Sequence, residues 1–495
     1  MKVNPTIFRE YDIRGIAGSG FSPSAIAEYE KWYGSFPGIT LTPEIAQAVG
    51  QAYGTIIRQT EGKNIVIGHE IRPGAEELKN AFIKGVRQTG CAVTDLGVTL
   101  TPIVYFTVAH GKYDGGVNVT GSHNVYFYNG FKLMKKEVWP LFGEELQKLR
   151  DLVEKEKFSY DKTGDHQKLD GYPAYKKYFQ EHIKLTKQLK IVIDCGNGSA
   201  GVFAPDLFRA LGCEVVELYT EPDATFPHHV PDPEPPQYLK DLGERVVKER
   251  AYAGVAFDAD GDRVGFVTEE GRPVDADLLL LVFAKDVLSR FPGKKILYDT
   301  KCTQLLEELI PSFGGIPMMY RTGHAPIKEG IRKDKDIVFA GEKSGHFFFI
   351  EDYFGIDDGL FAAARLLELV LKNQVEKFSS LFSEFPKRMR VPEIKLPCAD
   401  EKKFAVVKKI TQSLAAKFSV ITIDGVRIQV TKTGWGHVRA SNTSPYLTVH
   451  AEGESSEEVI RIKNILADEL EKFPEVVDRL NREEVATLTG KLGWV

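Results

Sequence analysis

Three times along this chain an apolar, β-rich run breaks into a polar or glycine-rich turn, and helical periodicity follows. The runs are NIVIGHEIRPG from Asn64, LKIVIDCGNGSAG from Leu189 and KKILYDTKCT from Lys294. Strand–turn–helix alternation is the signature of an α/β sheet. Its recurrence reads as three similar α/β units in tandem, although sequence identity between them is weak. At ~100–200 residues per domain, 495 residues leave room for three or four domains. The expected α/β units are residues 1–167, 168–274 and 275–390. The expected remainder is a smaller C-terminal α+β domain, residues 391–495. That tail reads helix (401–418), strands (420–423 and 426–430), a loop, strand (446–451) and helix (456–473). The strongest linker signal is RVPEIKLPCAD, Arg390 to Asp400, with two prolines; it suggests a hinge about which the tail closes. In the first unit, a Thr-Pro start favours a helix from Thr42 to Arg58. A second helix spans Ala75 to Thr89, and CAVTDLGV reads as a strand. Ser19 to Thr40 reads as an irregular segment with one short helix. Ligand-binding groups in α/β sheets collect at the carboxyl ends of strands, so the loops there are where chemistry is expected.

Charge and composition narrow the function classes. A net charge of −5 and a pI near 6.2 give no global field for nucleic acid or an anionic membrane. The longest apolar run, Leu278 to Ala284, is far short of the ~20 residues of a membrane span. The N-terminus, MKVNPTIFREYDIRG, lacks the apolar core of a signal peptide. Cys91, Cys195, Cys213, Cys302 and Cys398 are scattered with no CxxC pair, which suits reduced thiols in a cytoplasmic protein.

Four loops carry candidate chemistry. VTGSHNVYFYNGFK, Val119 to Lys132, sets Ser122 on a short polar loop. His123 and Asn124 follow at once, and Lys132 stands ten residues on. Gly121 leaves room for close approach to the backbone. Ser122 suits either a phosphoryl carrier met by nearby amides and cations or a plain turn or cap residue. In FDADGDRVG, Phe257 to Gly265, Asp258, Asp260 and Asp262 alternate on a turn between strands. Three such carboxylates need a cation, and hard oxygen ligands suit Mg²⁺ or Ca²⁺. Glu269 falls at the twelfth position of an EF-hand, but Arg263 stands where that loop needs glycine. GEKSGHFFF, Gly341 to Phe349, offers Glu342 to sugar hydroxyls, with Ser344 and His346 beside it. RTGHAPIK places His324 and Lys328 on another turn, and either run also fits an ordinary β-turn. GWGHVRASNTSPYL, Gly434 to Leu447, reads as a loop. It clusters Arg439, Ser441, Asn442, Thr443 and Ser444, a set suited to phosphate. His228 and His229 sit in a proline-fixed loop with no third metal ligand at a sensible spacing.

Together the loops resemble the α-D-phosphohexomutase superfamily, and within it the phosphomannomutase/phosphoglucomutase branch. TGSHN (Thr120 to Asn124) resembles the phosphoserine loop and DADGDR (Asp258 to Arg263) the metal loop. GEKSGH (Gly341 to His346) resembles the sugar loop and RASNTSP (Arg439 to Pro445) the phosphate loop. FREYDIRG at Phe8 to Gly15 and YDTKCT at Tyr298 to Thr303 extend the likeness over nearly the whole chain. The resemblance implies mixed sheets around a central cleft. It implies a mutase interconverting hexose 1- and 6-phosphates, of mannose or glucose, through a hexose 1,6-bisphosphate. It implies one Mg²⁺ per chain on Ser122, Asp258, Asp260 and Asp262. Catalytic roles would fall to Ser122, His123, Lys132, Arg14, Arg263, His324 and His346. Substrate contacts would fall to Tyr11, Lys301, Glu342, Ser344, Arg439, Ser441, Asn442 and Thr443. The partner is then a small phosphosugar, with no nucleic acid or membrane, and the enzyme a cytoplasmic monomer or dimer. Some positions depart from the pattern. His69 and Glu70 stand in the G-x-D-x-R turn, Pro73, Gly74 and Ala75 follow Arg72, Val125 and Tyr126 replace prolines, and Lys343 replaces a common methionine. Rival readings are a phosphoglucosamine mutase, a serine-based Mg²⁺-dependent sugar phosphatase, and a carbohydrate- or Ca²⁺-binding protein without turnover.

Overall fold

The computed structural model describes residues 1–18, 21, 23, 26, 27, 29, 30, 35–351, 353–442 and 444–476. The short helix expected within 19–40 falls partly outside these residues, and Thr443 falls wholly outside. Four sheets follow one another along the chain. In the first, the strands run Ile13–Ile16, Tyr128–Lys135, Gly115–Val119, Asn64–His69, Ala92–Val98 and His166–Lys168. The last four are parallel, and the first two join antiparallel. In the second, Ala253–Phe257, Lys190–Asp194 and Glu214–Leu218 are parallel, with Val264–Thr268 and Pro273–Val274 added antiparallel. In the third, Ile316–Tyr320, Lys295–Asp299 and Ile337–Gly341 are parallel, and Phe347–Phe349 returns antiparallel. These mixed sheets share one device. A parallel strand ends, turns tightly and comes back as an antiparallel neighbour. The three turns, residues 120–127, 258–263 and 342–346, are the loops singled out by their side chains.

The tail is an antiparallel sheet of Met389–Arg390, Tyr446–Gly453, Trp435–Ala440, Val426–Gln429 and Ser419–Ile421. Ile394–Pro397 also pairs with Tyr446–Gly453. Helices Asp400–Ala415 and Ser456–Leu470 share its core. Three local expectations need correction. Arg390 to Asp400 is not a free linker, because most of it is knitted onto the tail sheet; its prolines suit an edge strand. Arg439 lies on strand Trp435–Ala440 rather than in a loop. Gly436 and the buried His437 and Arg439 hid that strand by breaking the usual alternation. His324 opens the helix His324–Lys333 rather than sitting on a turn, with Pro326 in its first turn, where proline is tolerated.

The tail's apolar core is wholly its own, whereas the three α/β units, besides smaller cores of their own, share a large one. Helix Thr101–Gly111 of the first unit, buried almost all round, shares one continuous core with the second and third units. Tyr105 and Phe106 on it belong to the same cluster as Phe179, Phe257 and Phe361. Its N-terminus therefore has a fixed position against the second unit. No helix among the described residues is long and apolar enough to cross a membrane. All five cysteines are buried and free.

The first unit's other core depends on two helices, Pro43–Gln59 and Ala75–Gln88, meeting backbone to backbone. A methyl group on Gly85 would overlap the carbonyl oxygen of Gln47, and one on Gly50 that of Phe82. Gly85→Ala should therefore destabilise the protein by about 1–3 kcal/mol, in spite of alanine's better helix propensity. Urea denaturation of the two proteins measures this directly.

Candidate active site

Three carboxylates lie at the centre. Asp258, Asp260 and Asp262 are fully buried, with an oxygen of each within 4.8 Å of the others. Lys132 reaches them from the strand beside the Ser122 turn, with Nζ 2.9 Å from Asp260 Oδ2 and in contact with Asp262. The register explains this: Asn118, just before the turn, pairs with Lys132 on the way back. Thr101, first residue of the shared helix, donates its hydroxyl to Asp260 Oδ2 at 2.5 Å and its amide to the Asp260 carbonyl at 3.0 Å. Asn118 Nδ2 donates to the Thr101 hydroxyl at 2.7 Å. The helix packed between the units thus places the second unit's aspartates against the first unit's turn.

Ser122 sits in that turn with a left-handed backbone, φ 52°, and its hydroxyl donates to Asp258 Oδ2 at 3.4 Å. A clamp behind the turn holds this conformation. The Arg72 guanidinium donates to the carbonyls of Ser122, Asn124 (2.6 Å) and Val125 (2.6 Å). Its Nε is 2.6 Å from Glu70 Oε1, which also accepts from the Gly121 amide and, at 3.0 Å, from the Thr120 hydroxyl. Both side chains of the clamp are fully buried. Gly121 is required here, because a Cβ would stand 2.7 Å from Arg72 Cζ.

The third unit supplies the opposite wall. His346 Nε2 is 3.3 Å from Asp262 Oδ1, and its Nδ1 is 3.2 Å from Glu342 Oε2 and 3.1 Å from Ser344 Oγ. Glu342 Oε1 accepts from the Gly323 amide at 2.6 Å. Next door, His324 Nε2 faces Asp12 Oδ2 at 3.4 Å, and its Nδ1 accepts from Lys328 Nζ at 3.4 Å. Lys328 pairs with Asp357 at 2.6 Å and lies over the Tyr105 ring. Arg14 donates to Asp12 at 3.0 Å and to the Thr120 carbonyl at 3.0 Å. His123 and Arg263 both face Asp232, at 3.2 and 3.8 Å.

The tail closes the ring. The Tyr11 hydroxyl donates to the Thr322 carbonyl and accepts from Asn442 Nδ2, so one side chain ties three units together. Arg439 Nε donates to Asp424 at 2.9 Å, and the Thr322 amide donates to the same Asp424 carboxylate at 3.2 Å. Lys301 stands between Glu234 (3.3 Å) and Glu393 (3.6 Å). Ser441 is buried nearby, and Ser444 donates its amide to the Ser441 hydroxyl at 3.2 Å.

The charges show what this packing demands. Burial pushes the Asp258 carboxyl well above the usual range, and Asp262 and Asp260 add to the effect. Burial also opposes the charge on Asp262, but Lys132 and His346 outweigh it and hold that carboxyl well below its usual range. Burial lowers His346, as does Arg263, yet Asp262 and Glu342 raise it overall to about 9. Burial opposes the charge on Glu342, but His346 pulls its carboxyl down to about 2. One oxygen each of Asp260 and Asp262 is buried without a hydrogen-bond donor. Two orphaned hard oxygens, beside a third converging carboxylate on Asp258, fit a small divalent cation. Elsewhere, Glu269 of the discarded EF-hand spacing accepts from Ser379, and His228 pairs with Asn197.

All the site residues expected from sequence and described in the structure gather around these loops. Glu70, Arg72, Thr101, Asn118, Asp12, Asp357 and Asp424 are site residues that the sequence does not single out. Two signals were available: the G-x-D-x-R position held by Glu70 and Arg72, and Thr101-Pro102 at the head of a mostly apolar helix, an N-terminus with amides to offer.

Comparison with known proteins agrees with this layout. Residues 5–160, 173–271 and 275–389 match alpha/beta/alpha domains I, II and III of the phosphoglucomutase/phosphomannomutase family, and 393–469 match its C-terminal domain. The chain is 42% identical to a phosphomannomutase/phosphoglucomutase of Pseudomonas aeruginosa, over 94% of this chain and 95% of that one. It is 37% identical to a phosphoglucomutase of Neisseria meningitidis, over 95% and 98%. A crystal structure of a phosphoglucomutase/phosphomannomutase family protein from Burkholderia thailandensis superposes with a TM-score of 0.85. It is 35% identical and covers 95% of this chain and 98% of that one.

The carboxylate cluster makes a stability prediction. Mg²⁺ at roughly 100 times its dissociation constant should stabilise the fold by about 2.7 kcal/mol. Asp258→Asn should be more stable than the native protein without Mg²⁺ and respond less to its addition. Thermal melts of both proteins with and without Mg²⁺ check both halves.

Proposed function

The chain belongs to the phosphoglucomutase/phosphomannomutase family, and on that premise we propose that it is a phosphohexomutase. It interconverts hexose 1-phosphate and hexose 6-phosphate, of mannose or glucose, through a phosphoserine at Ser122 and a hexose 1,6-bisphosphate. The observation that carries this reading is the gathering of buried Ser122, the three aspartates, Glu342 with Ser344, and Arg439, with half-buried Asn442 bonded to Tyr11 beside them. These are a phosphoryl carrier, a cation cage, a sugar-hydroxyl acceptor and a phosphate clamp.

In the forward half-reaction a hydroxyl of the bound hexose phosphate attacks the phosphoryl group on Ser122. The bond from phosphorus to Ser122 Oγ breaks, and a bond to the sugar oxygen forms. The intermediate then presents its other phosphate, and the reverse transfer restores the phosphoserine. The work is positioning and charge neutralisation of a loose transition state. Lys132, Arg14 and Arg263 set positive charge around the transferred group. Asp258, Asp260 and Asp262, with a phosphoryl oxygen of modified Ser122, would hold one Mg²⁺, which supplies Lewis-acid charge there. Lys132, His324 and His346 are the groups placed to move the hydroxyl proton. Glu342 and Ser344 hold sugar hydroxyls, contacts available in either orientation. Lys301, Arg439, Ser441 and Asn442, with Tyr11 bracing the last, hold the phosphate that is not reacting.

Burial argues against the phosphatase rival. Ser122 is 4% exposed and the three aspartates are fully buried, so water has little access to a phosphoserine here. The same burial requires the units to part for substrate to enter. The tail, with its separate core, is the part to move. Small-angle scattering should show a more compact particle on adding glucose 1-phosphate, and identical profiles would count against this motion.

Mannose 1-phosphate, glucose 1-phosphate and glucosamine 1-phosphate, each supplied with Mg²⁺ and a trace of sugar bisphosphate, test the activity. The mannose or glucose compound should yield 6-phosphate fastest. Ser122→Ala should lose activity by on the order of 10³-fold or more. Fastest turnover of the glucosamine compound would favour a phosphoglucosamine mutase. Free phosphate without isomerisation would favour a phosphatase.

A further inference from the structure

Between Glu342 and Ser344 stands Lys343, and its ammonium is committed elsewhere. Lys343 Nζ lies 3.3 Å from Asp275 Oδ1 and 3.8 Å from Asp277 Oδ2. The same two carboxylates hold Arg390, whose Nη1 is 3.0 Å from Asp275 Oδ2 and 2.8 Å from Asp277 Oδ1. Arg390 Nε is 2.8 Å from Glu452 Oε2. Glu452 Oε1 in turn accepts from the Thr303 hydroxyl and the Gln304 amide, each at 3.0 Å, and from Trp435 Nε1 at 2.9 Å. Asp277 Oδ2 also accepts from the Thr303 amide at 2.7 Å.

Two cations of different origin thus share one pair of carboxylates. Lys343 belongs to the turn that carries Glu342 and Ser344. Arg390 belongs to the tail, since its strand pairs with Glu452 and Gly453 of the tail sheet. Asp277 and Glu452 are almost fully buried. Three carboxylates face two cations, so losing either cation leaves buried negative charge in excess. Each cation's position therefore depends on the other's, through Asp275 and Asp277.

We propose that Lys343 is a positioning residue. With Asp275, Asp277 and Arg390 it ties the turn that holds the sugar to the domain that holds the phosphate, so that Glu342, Ser344 and Arg439 take their places together. The proposal rests on the functional reading of those two loops given above.

Steady-state kinetics with glucose 1-phosphate on the native protein, Lys343→Met, Arg390→Met and the double variant test it. Lys343→Met should raise KM about three- to tenfold with a smaller change in kcat, and Lys343→Arg should restore most of the loss. The double variant should raise KM no more than the worse single one, the mark of two residues acting through one link. Multiplying single effects, or a Lys343→Met protein with native KM and only a lower Tm, would overturn the proposal. Amide hydrogen exchange separates this from the question of activity. Arg390→Met should speed exchange at residues 342–346 whether or not the protein turns over sugar, and unchanged exchange there would also overturn the link.

Discussion

Three carboxylates forced together in a dry interior cannot coexist without compensation, and the rest of the structure is arranged around that constraint. Like charges this close raise one another's proton affinity unless cations intervene. Burial first, and then its two neighbours, hold the Asp258 carboxyl well up despite Arg263 and Lys132, whereas Lys132 and His346 overcome burial at Asp262. Each compensating group comes from a different stretch of chain. Lys132 comes from the first unit's return strand, and His346 from the third unit's turn. Thr101 comes from the helix packed between the units. The aspartates act as the point on which three separately built units are aligned.

That alignment is possible because the units repeat one architectural device. A parallel strand that doubles back antiparallel presents its turn at the carboxyl end of the sheet, where α/β folds place ligands. The first unit uses the turn for a hydroxyl, the second for carboxylates and the third for a glutamate, a serine and a histidine. The tail has no such strand pair. It reaches the same place from an antiparallel sheet, through Arg439 at a strand end and Asn442 just beyond. Tyr11 and the Asp275–Asp277–Arg390 cluster fix its seat.

What could be read from the sequence follows from the range of each interaction. The four loops were legible because each packs its chemistry into a few neighbouring residues: TGSHN, DADGDR, GEKSGH and RASN. The strand–turn–helix rhythm that organised the three units was local as well. Long-range partners left no such trace. Glu70 and Arg72 clamp a turn about fifty residues away, and their role depends on carbonyls that the sequence does not display. Strand Trp435–Ala440 reads as a loop because its buried histidine and arginine bond to Asp424, so polarity does not mark exposure there. The prolines of Arg390 to Asp400 suggested a linker because the sequence cannot say that their missing amides face outward from a sheet edge.

The central claim is that the Ser122 hydroxyl lends and reclaims a phosphoryl group beside the three aspartates. The most direct measurement is to charge the enzyme with ³²P-labelled glucose 1,6-bisphosphate, map the label by peptide mass, and chase with unlabelled glucose 1-phosphate. The account predicts label on the peptide carrying Ser122, and its departure into hexose phosphates during the chase. Label absent from that serine, or label that stays there while sugar phosphates interconvert, would contradict it.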